Sequence, residues 1–332
     1  MRIYNIRTLK LLQILILISL IVLLCLYVSN QKSKSLQEIE SLCLNKRKSV
    51  EMFNDFENLN QFGSPLCNNR SRRHGYHQKV ISVSAYQSNR DNKLLTDKIL
   101  SYTFQYLNES KYFYPDWRVR VYYHNLPITE QQILQIENQF GNVDFCDSQN
   151  IPFVGDLTSF MSGRLHRYIA FADPFVDLFM SRDLDSPILQ REVTSVSEWL
   201  SSNKYFHIIR DHPLHYDVML AGLWAMKISE NETIRHMLTE RLLTKSLTKC
   251  WNSQDGDLHF LEKYVWPLAE SNSMQHDSFH CQKYHLSVPF TQSKFSSSKF
   301  LGCRRPCRSD QDPPGPCPIQ CLLRNSSNTN LC

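Results

Sequence analysis

Apolar and polar residues begin to alternate at Val80, where Val80-Ile-Ser-Val-Ser84 predicts a strand after a long polar stretch. Leu94 to Leu107 then has helical spacing, Arg118 to Tyr123 reads as a strand, and turn residues lead into a predicted helix from Glu130 to Phe140. A short strand is expected at Val143 to Cys146, and a helix from Leu157 to about Ala172. The apolar run Val176 to Met180 predicts a strand that ends in the charged cluster Ser181 to Ser186. A helix from Leu189 to Leu200 and a strand from Tyr205 to Arg210 follow. Alternating strands and helices predict an α/β domain with a mixed, mostly parallel central sheet flanked by helices. In open sheets of that kind, ligands bind beyond the carboxyl ends of the strands.

Before this domain the chain has a different character. Leu11 to Val28 is an 18-residue stretch whose only polar members are Gln13 and Ser19, and Arg2, Arg7 and Lys10 precede it. A bilayer core needs about 20 apolar residues, whereas a cleaved signal peptide uses about 7 to 15 before a small-x-small site. The stretch therefore predicts a transmembrane signal anchor, and the short tail before it favours a single-pass type II orientation. Residues 1–10 are then a cytosolic tail, 11–28 the anchor, 29–78 a stem, 79–302 the catalytic domain and 303–332 a Cys/Pro-rich tail. A packed subdomain closed by Cys43 and Cys67 is the alternative to an open stem.

Charge and cysteines refine this picture. Residues 1–79 hold 12 Lys/Arg against 5 Asp/Glu, and residues 80–332 hold 25 against 27. A nucleic-acid binder would carry its basic excess on the folded domain, so no nucleic-acid partner is expected. Glycosylation acceptor tripeptides occur at Asn69, Asn108, Asn231 and Asn325, all outside the anchor. Of 11 cysteines, Cys25 lies in the predicted span, and the others suit disulfides in an oxidising lumen. Cys303-x3-Cys307 and Cys317-x3-Cys321 have spacings that also suit zinc in the cytosol, but their prolines and the expected compartment favour disulfides.

Three motifs carry candidate chemistry. In Asp183-Leu-Asp185 an extended backbone would put both carboxylates on one face, where they suit a hard divalent cation; the ordinary alternative is a solvated turn after a strand. Such a cation neutralises charge on a leaving diphosphate when a sugar is transferred from a nucleotide. Phe206-His-Ile-Ile-Arg-Asp-His-Pro-Leu-His215 gathers Arg210, Asp211 and His212 at a strand end, and Gly222 beside Trp224 offers a surface for a sugar ring. The ordinary alternative for the histidines is a turn that caps and packs. Asp257, at the start of a predicted helix, is a candidate base or a helix-end charge. His276 is a candidate third metal ligand, since carboxylate and imidazole together suit manganese, or a hydrogen-bonded core residue.

These motifs, with Arg191-Glu192, Glu198-Trp199, Lys227 and His276-Asp-Ser-Phe before Cys281, resemble a glycosyltransferase-like family found as type II membrane proteins in animals and near polysaccharide genes in bacteria. The resemblance covers roughly Val80 to Gly302. It implies a GT-A-like fold with Asp183 and Asp185 on a divalent metal, Arg182 beside the donor diphosphate, and Arg210, Asp211 and Asp257 at the reaction centre. His212, Gly222 and Trp224 would meet the acceptor, and His276 would complete the metal site. The family pattern has arginine, glycine and glutamine where this chain has Pro187, Ala221 and Leu258. The expected function is a manganese-dependent transfer of a hexose from a nucleotide sugar to a glycan or glycoprotein acceptor at the Golgi membrane. The alternative is a lumenal glycan-binding relative without activity. A hydrolase would need carboxylates flanking the bond rather than clustered on one strand end.

Overall fold

The computed structural model describes residues 65–87, 93–252, 255–294, 299–311 and 316–322, so the predicted cytosolic tail, anchor and most of the stem lie outside the described residues. No helix among the described residues is long and apolar enough to cross a membrane.

Eight strands form one sheet in the order β3-β2-β1-β4-β6-β5-β7-β8. They are β1 (Gln78–Tyr86), β2 (Arg118–His124), β3 (Val143–Asp147), β4 (Val176–Arg182), β5 (Phe206–Arg210), β6 (Leu223–Lys227), β7 (Ser273–Asp277) and β8 (Ser287–Val288). Only β6 runs against its neighbours; every other pairing is parallel. The domain is thus mixed α/β with a mostly parallel sheet, as the alternating pattern predicts.

Helices cover both faces, so alternate residues of a strand enter different cores. Ile81, Val83, Val119, Val121 and Met180 pack with Tyr106 of α2 (Lys93–Phe113), Phe140 of α3 (Glu130–Phe140) and Trp199 of α5 (Gln190–Leu200). On the opposite face, Val80, Phe179, Trp224 and Ile208 pack with Phe171 of α4 (Ile169–Ala172), Leu238 of α6 (Glu232–Leu243) and Phe260 of α8 (Gly256–Phe260). The remaining helices are the single turns α1 (Asn69–Arg73), α7 (Lys245–Thr248) and α9 (Trp266–Ala269). Helix α3 matches its predicted bounds because its ends are written locally. Thr129 and Gln132 form a reciprocal capping box, and Gly141 leaves the helix at φ +77°.

Two expectations are revised. Residues 157–172 form two short 3-10 turns and α4 rather than one helix. Gly163 interrupts the periodic stretch at a close approach, where a β-carbon would lie 2.7 Å from the Tyr86 ring and 2.8 Å from His124. Residues 65–78, assigned to the stem from their polarity, belong to the fold. Leu66 is fully buried, Cys67 is bonded to Cys146, and the Leu66 carbonyl accepts from Tyr122 Oη at 3.0 Å. Disulfides also join Cys281 to Cys321 and Cys303 to Cys307, and Cys250 and Cys317 are disulfide-bonded. The described tail cysteines therefore follow the disulfide expectation rather than the zinc one.

Asp173 ties the early segment to the sheet. Its carboxylate accepts from Leu66 N–H at 2.7 Å, Phe175 N–H at 2.8 Å and the buried Arg120 guanidinium at 2.5 Å. Removing one charge of a buried pair leaves the other uncompensated. Asp173→Asn is expected to lower the unfolding free energy by about 3–5 kcal/mol in denaturant titrations; a loss below about 1 kcal/mol, the scale of an exposed ion pair, would contradict this role.

Candidate active site

Strand order places the site. The chain builds β1, β2 and β3 outward in one direction, and β4 then pairs with the other side of β1. Helices α2 and α3 cover one face, while the connection from β3 to β4 covers the other. The carboxyl ends of β1 and β4 therefore flank the switch point, where open α/β sheets leave a crevice. A cleft of about 810 Å³ lies there, lined by Tyr86 after β1, Asp183 and Asp185 after β4, and Gly222 before β6. Because β6 is antiparallel, its beginning rather than its end reaches this rim.

Asp183 and Asp185 keep side chains 44% and 43% exposed, so both open to the cleft. Gly222 makes room for Asp183, since a β-carbon at that position would fall on the Asp183 carboxylate. Ser181 Oγ donates to the Ala221 carbonyl at 2.6 Å and fixes the approach of the two segments. From the other side comes Arg167, whose guanidinium bonds Asp183 Oδ1, the Arg182 carbonyl at 3.1 Å and Asp257 Oδ2 at 3.3 Å. Burial alone would depress Arg167, but Asp183, Tyr168 and Asp257 hold it well above its ordinary value. Burial, aided by Asp183, raises the Asp185 carboxyl. Burial also raises Asp257 despite Arg167.

Of the residues singled out by sequence, Asp183, Asp185, Asp257 and Gly222 come together here. The others do not line the cleft. Arg182 points to the opposite face, where Nε donates to Glu192 at 2.8 Å, because successive strand residues alternate. Arg210 is buried, 3.4 Å from Asp277 and stacked 3.6 Å over the Tyr284 ring. Asp211 is buried among Arg191 at 3.0 Å, Lys294 at 3.2 Å and Leu301 N–H at 2.9 Å. His212 accepts Leu214 N–H through Nδ1 at 3.1 Å and packs on Phe300, the turn-forming role. Trp224 is fully buried against Phe179 and Tyr168, leaving no face for a sugar. His276 is a core residue. Its Nδ1 pairs with His207 at 2.9 Å and its Nε2 with Glu198 at 2.8 Å, which engages both nitrogens away from the aspartates.

Tyr86, Lys98, Arg164, Arg167 and Arg304 line the cleft without having been singled out, and His215, at the end of the motif that holds Arg210, lines it too. Arg164 and Arg167 are three residues apart within the segment 157–172 that was expected to be helical, where such spacing would put two cations on one face. His215 is kept neutral by burial, which lowers it to about 3.

Among the described residues no three His, Cys, Asp or Glu side chains converge on a metal position. Asp183 and Asp185 fit a hard divalent cation as an open, two-carboxylate site whose other positions would go to substrate oxygens and water.

No family model and no curated protein matches this chain. Among solved structures, the crystal structure of S. aureus TarS residues 1–349, a glycosyltransferase, is similar at 10% identity and a TM-score of 0.32. The match covers 50% of this chain and 55% of that one, so the chain spans about half the length of the structure it matches. A likeness at that level bears on neither family nor chemistry.

Asp211 yields a prediction that separates scaffold from site. Burial pushes its carboxyl up, but Arg191, Lys294, Ser278 and Leu301 N–H outweigh burial and lower it. Its contribution is then complete above the ordinary carboxylate value of about 3.9, and is lost as pH falls through the depressed folded-state value. Asp211→Asn should cost about 3–5 kcal/mol at neutral pH. The gap to wild type should narrow below about pH 4; urea titrations showing a gap independent of pH would refute the assignment.

Proposed function

We propose that this protein is a metal-dependent glycosyltransferase that moves a hexose from a nucleotide sugar to a glycan or glycoprotein acceptor. The observation that carries the reading is the placement of Asp183 and Asp185 on the cleft side of the switch point, with Gly222 opening space beside Asp183. Those two residues would hold a divalent cation, manganese being our choice, and its chemistry is to neutralise the departing diphosphate.

The chain's own groups complete the assignment. Arg167 holds Asp183 in one orientation and keeps a positive charge beneath the site. Asp257, of the predicted bases, is the one at the cleft, and its raised carboxyl suits proton exchange with an acceptor hydroxyl. The fully buried Asp211 and Arg210 support the walls instead. Leu258 lines the cleft where the resembled family has glutamine. It offers an apolar contact rather than a hydrogen bond, which points to a different acceptor selection. A Golgi location and a single-pass type II anchor over 11–28 belong to the same proposal. They are supported by the apolar run and by the disulfides.

Donor hydrolysis across a panel of nucleotide sugars, with and without manganese, tests the reading. Turnover should require the metal and fall at least about a hundredfold in the Asp183→Asn/Asp185→Asn double variant. A folded protein that neither binds nor cleaves any donor would leave the non-catalytic glycan-binding alternative in its place. Gly222→Ala, which crowds Asp183, should weaken manganese binding by about 10- to 100-fold and, because Asp183 also holds the buried Arg167, lower the melting temperature while the transition stays cooperative; unchanged affinity in calorimetry would count against Asp183 as a ligand.

A further inference from the structure

Residues 299–311 return across the end of the sheet and form one flank of the cleft, to which they contribute Gly302 and Arg304. The main chain of this segment is held at several points. Leu301 N–H donates to Asp211 at 2.9 Å, and Arg305 N–H donates to the carbonyl of Asp185 at 2.8 Å. The Arg305 guanidinium grips both oxygens of Glu109, at 2.7 and 2.5 Å, and the Ser186 carbonyl at 3.2 Å. Arg304 N–H donates to Gln311 Oε1 and Gln311 Nε2 donates back to the Arg304 carbonyl, both at 2.8 Å. The Cys303–Cys307 disulfide closes the loop between them.

The Arg304 guanidinium stands apart from this framework. Its side chain is 74% exposed, and Nε lies 3.8 Å from Asp185 Oδ2. As a surface ion pair this contact would contribute little. As a guanidinium on a fixed backbone, facing a cleft with two carboxylates that suit a cation, it is placed to take an anion held between itself and that cation. A planar guanidinium matches phosphate oxygens, and a loop already ordered loses little freedom when a ligand binds.

We propose that the Cys303–Cys307 loop is part of the substrate site and that Arg304 binds a phosphate oxygen of a nucleoside diphosphate seated at Asp183 and Asp185. The assignment rests on the proposed nucleotide-sugar donor. Asp185 and Arg304 face each other across the cleft. With a cation held by Asp185, the Arg304 guanidinium would be free to pair with a phosphate oxygen instead.

Isothermal titration of the full chain in manganese, with uridine, cytidine and guanosine each as nucleoside, monophosphate and diphosphate, separates the possibilities. Arg304→Gln should weaken the best-bound diphosphate by about tenfold or more, leave the parent nucleoside and the melting temperature unchanged, and be partly rescued in Arg304→Lys. Equal diphosphate affinity in wild type and Arg304→Gln would overturn the role of Arg304 while the donor reading stands. A wild-type chain that binds none of the diphosphates would overturn both.

Discussion

A guanidinium as deeply buried as that of Arg167 stays charged only where carboxylates and carbonyls surround it, because the cost of desolvating an ion is several kcal/mol or more. Here the partners are Asp183 at the end of β4 and Asp257 at the start of α8, two elements far apart in the chain. One side chain thus fixes the distance between the acid that opens the cleft and the acid on its far wall. The Arg182 carbonyl adds a third contact, so the end of β4 is anchored through its backbone as well. Rotating Asp183 away would strand a buried cation, and this constraint keeps the carboxylate turned toward Gly222.

The same electrostatics explains the rest of the strand ends. Arg182 with Glu192, Arg191 with Asp211, and Arg210 with Asp277 are buried pairs set around the rim of the sheet. Each is satisfied by further hydrogen bonds, as a buried charge must be. They tie β4 to α5, α5 to the end of β5 and β5 to β7, while Asp183 and Asp185 stay half-exposed.

Much of the fold was legible because it is written locally. Alternating and apolar runs marked β1 to β5, but β6, β7 and β8 were not read as strands, and Asp183 and Asp185 lie on a turn just past β4 rather than on the extended segment expected for them. The site was legible only in part. Arg210, Asp211 and His276 are the residue types that chemistry uses, but they are also the types that stabilise one another when buried, and a linear sequence does not say which environment they enter. Trp224 failed for a related reason, since a tryptophan serves a core as well as a sugar. Arg182 was separable in principle, because as the last strand residue it alternates with Ser181 and enters the opposite face, while the aspartates follow on a turn. Residues 65–78 were misassigned because one helical turn and a polar composition conceal Leu66 and Cys67, whose importance depends on partners beyond position 120.

The path of the chain around the cleft also bears on how the molecule is made. Gly302 and Arg304 follow every other cleft-lining residue in sequence, so they are the last of that set to leave the ribosome. A nascent chain that has completed β1 to β8 already owns its whole sheet and the two apolar cores on its faces, yet lacks one flank of the crevice, the Leu301 amide that Asp211 receives and the Leu301 side chain packed with Ile209 and Leu223. Synthesis order therefore places the residues of the sheet before those that finish the cleft and pack against its end.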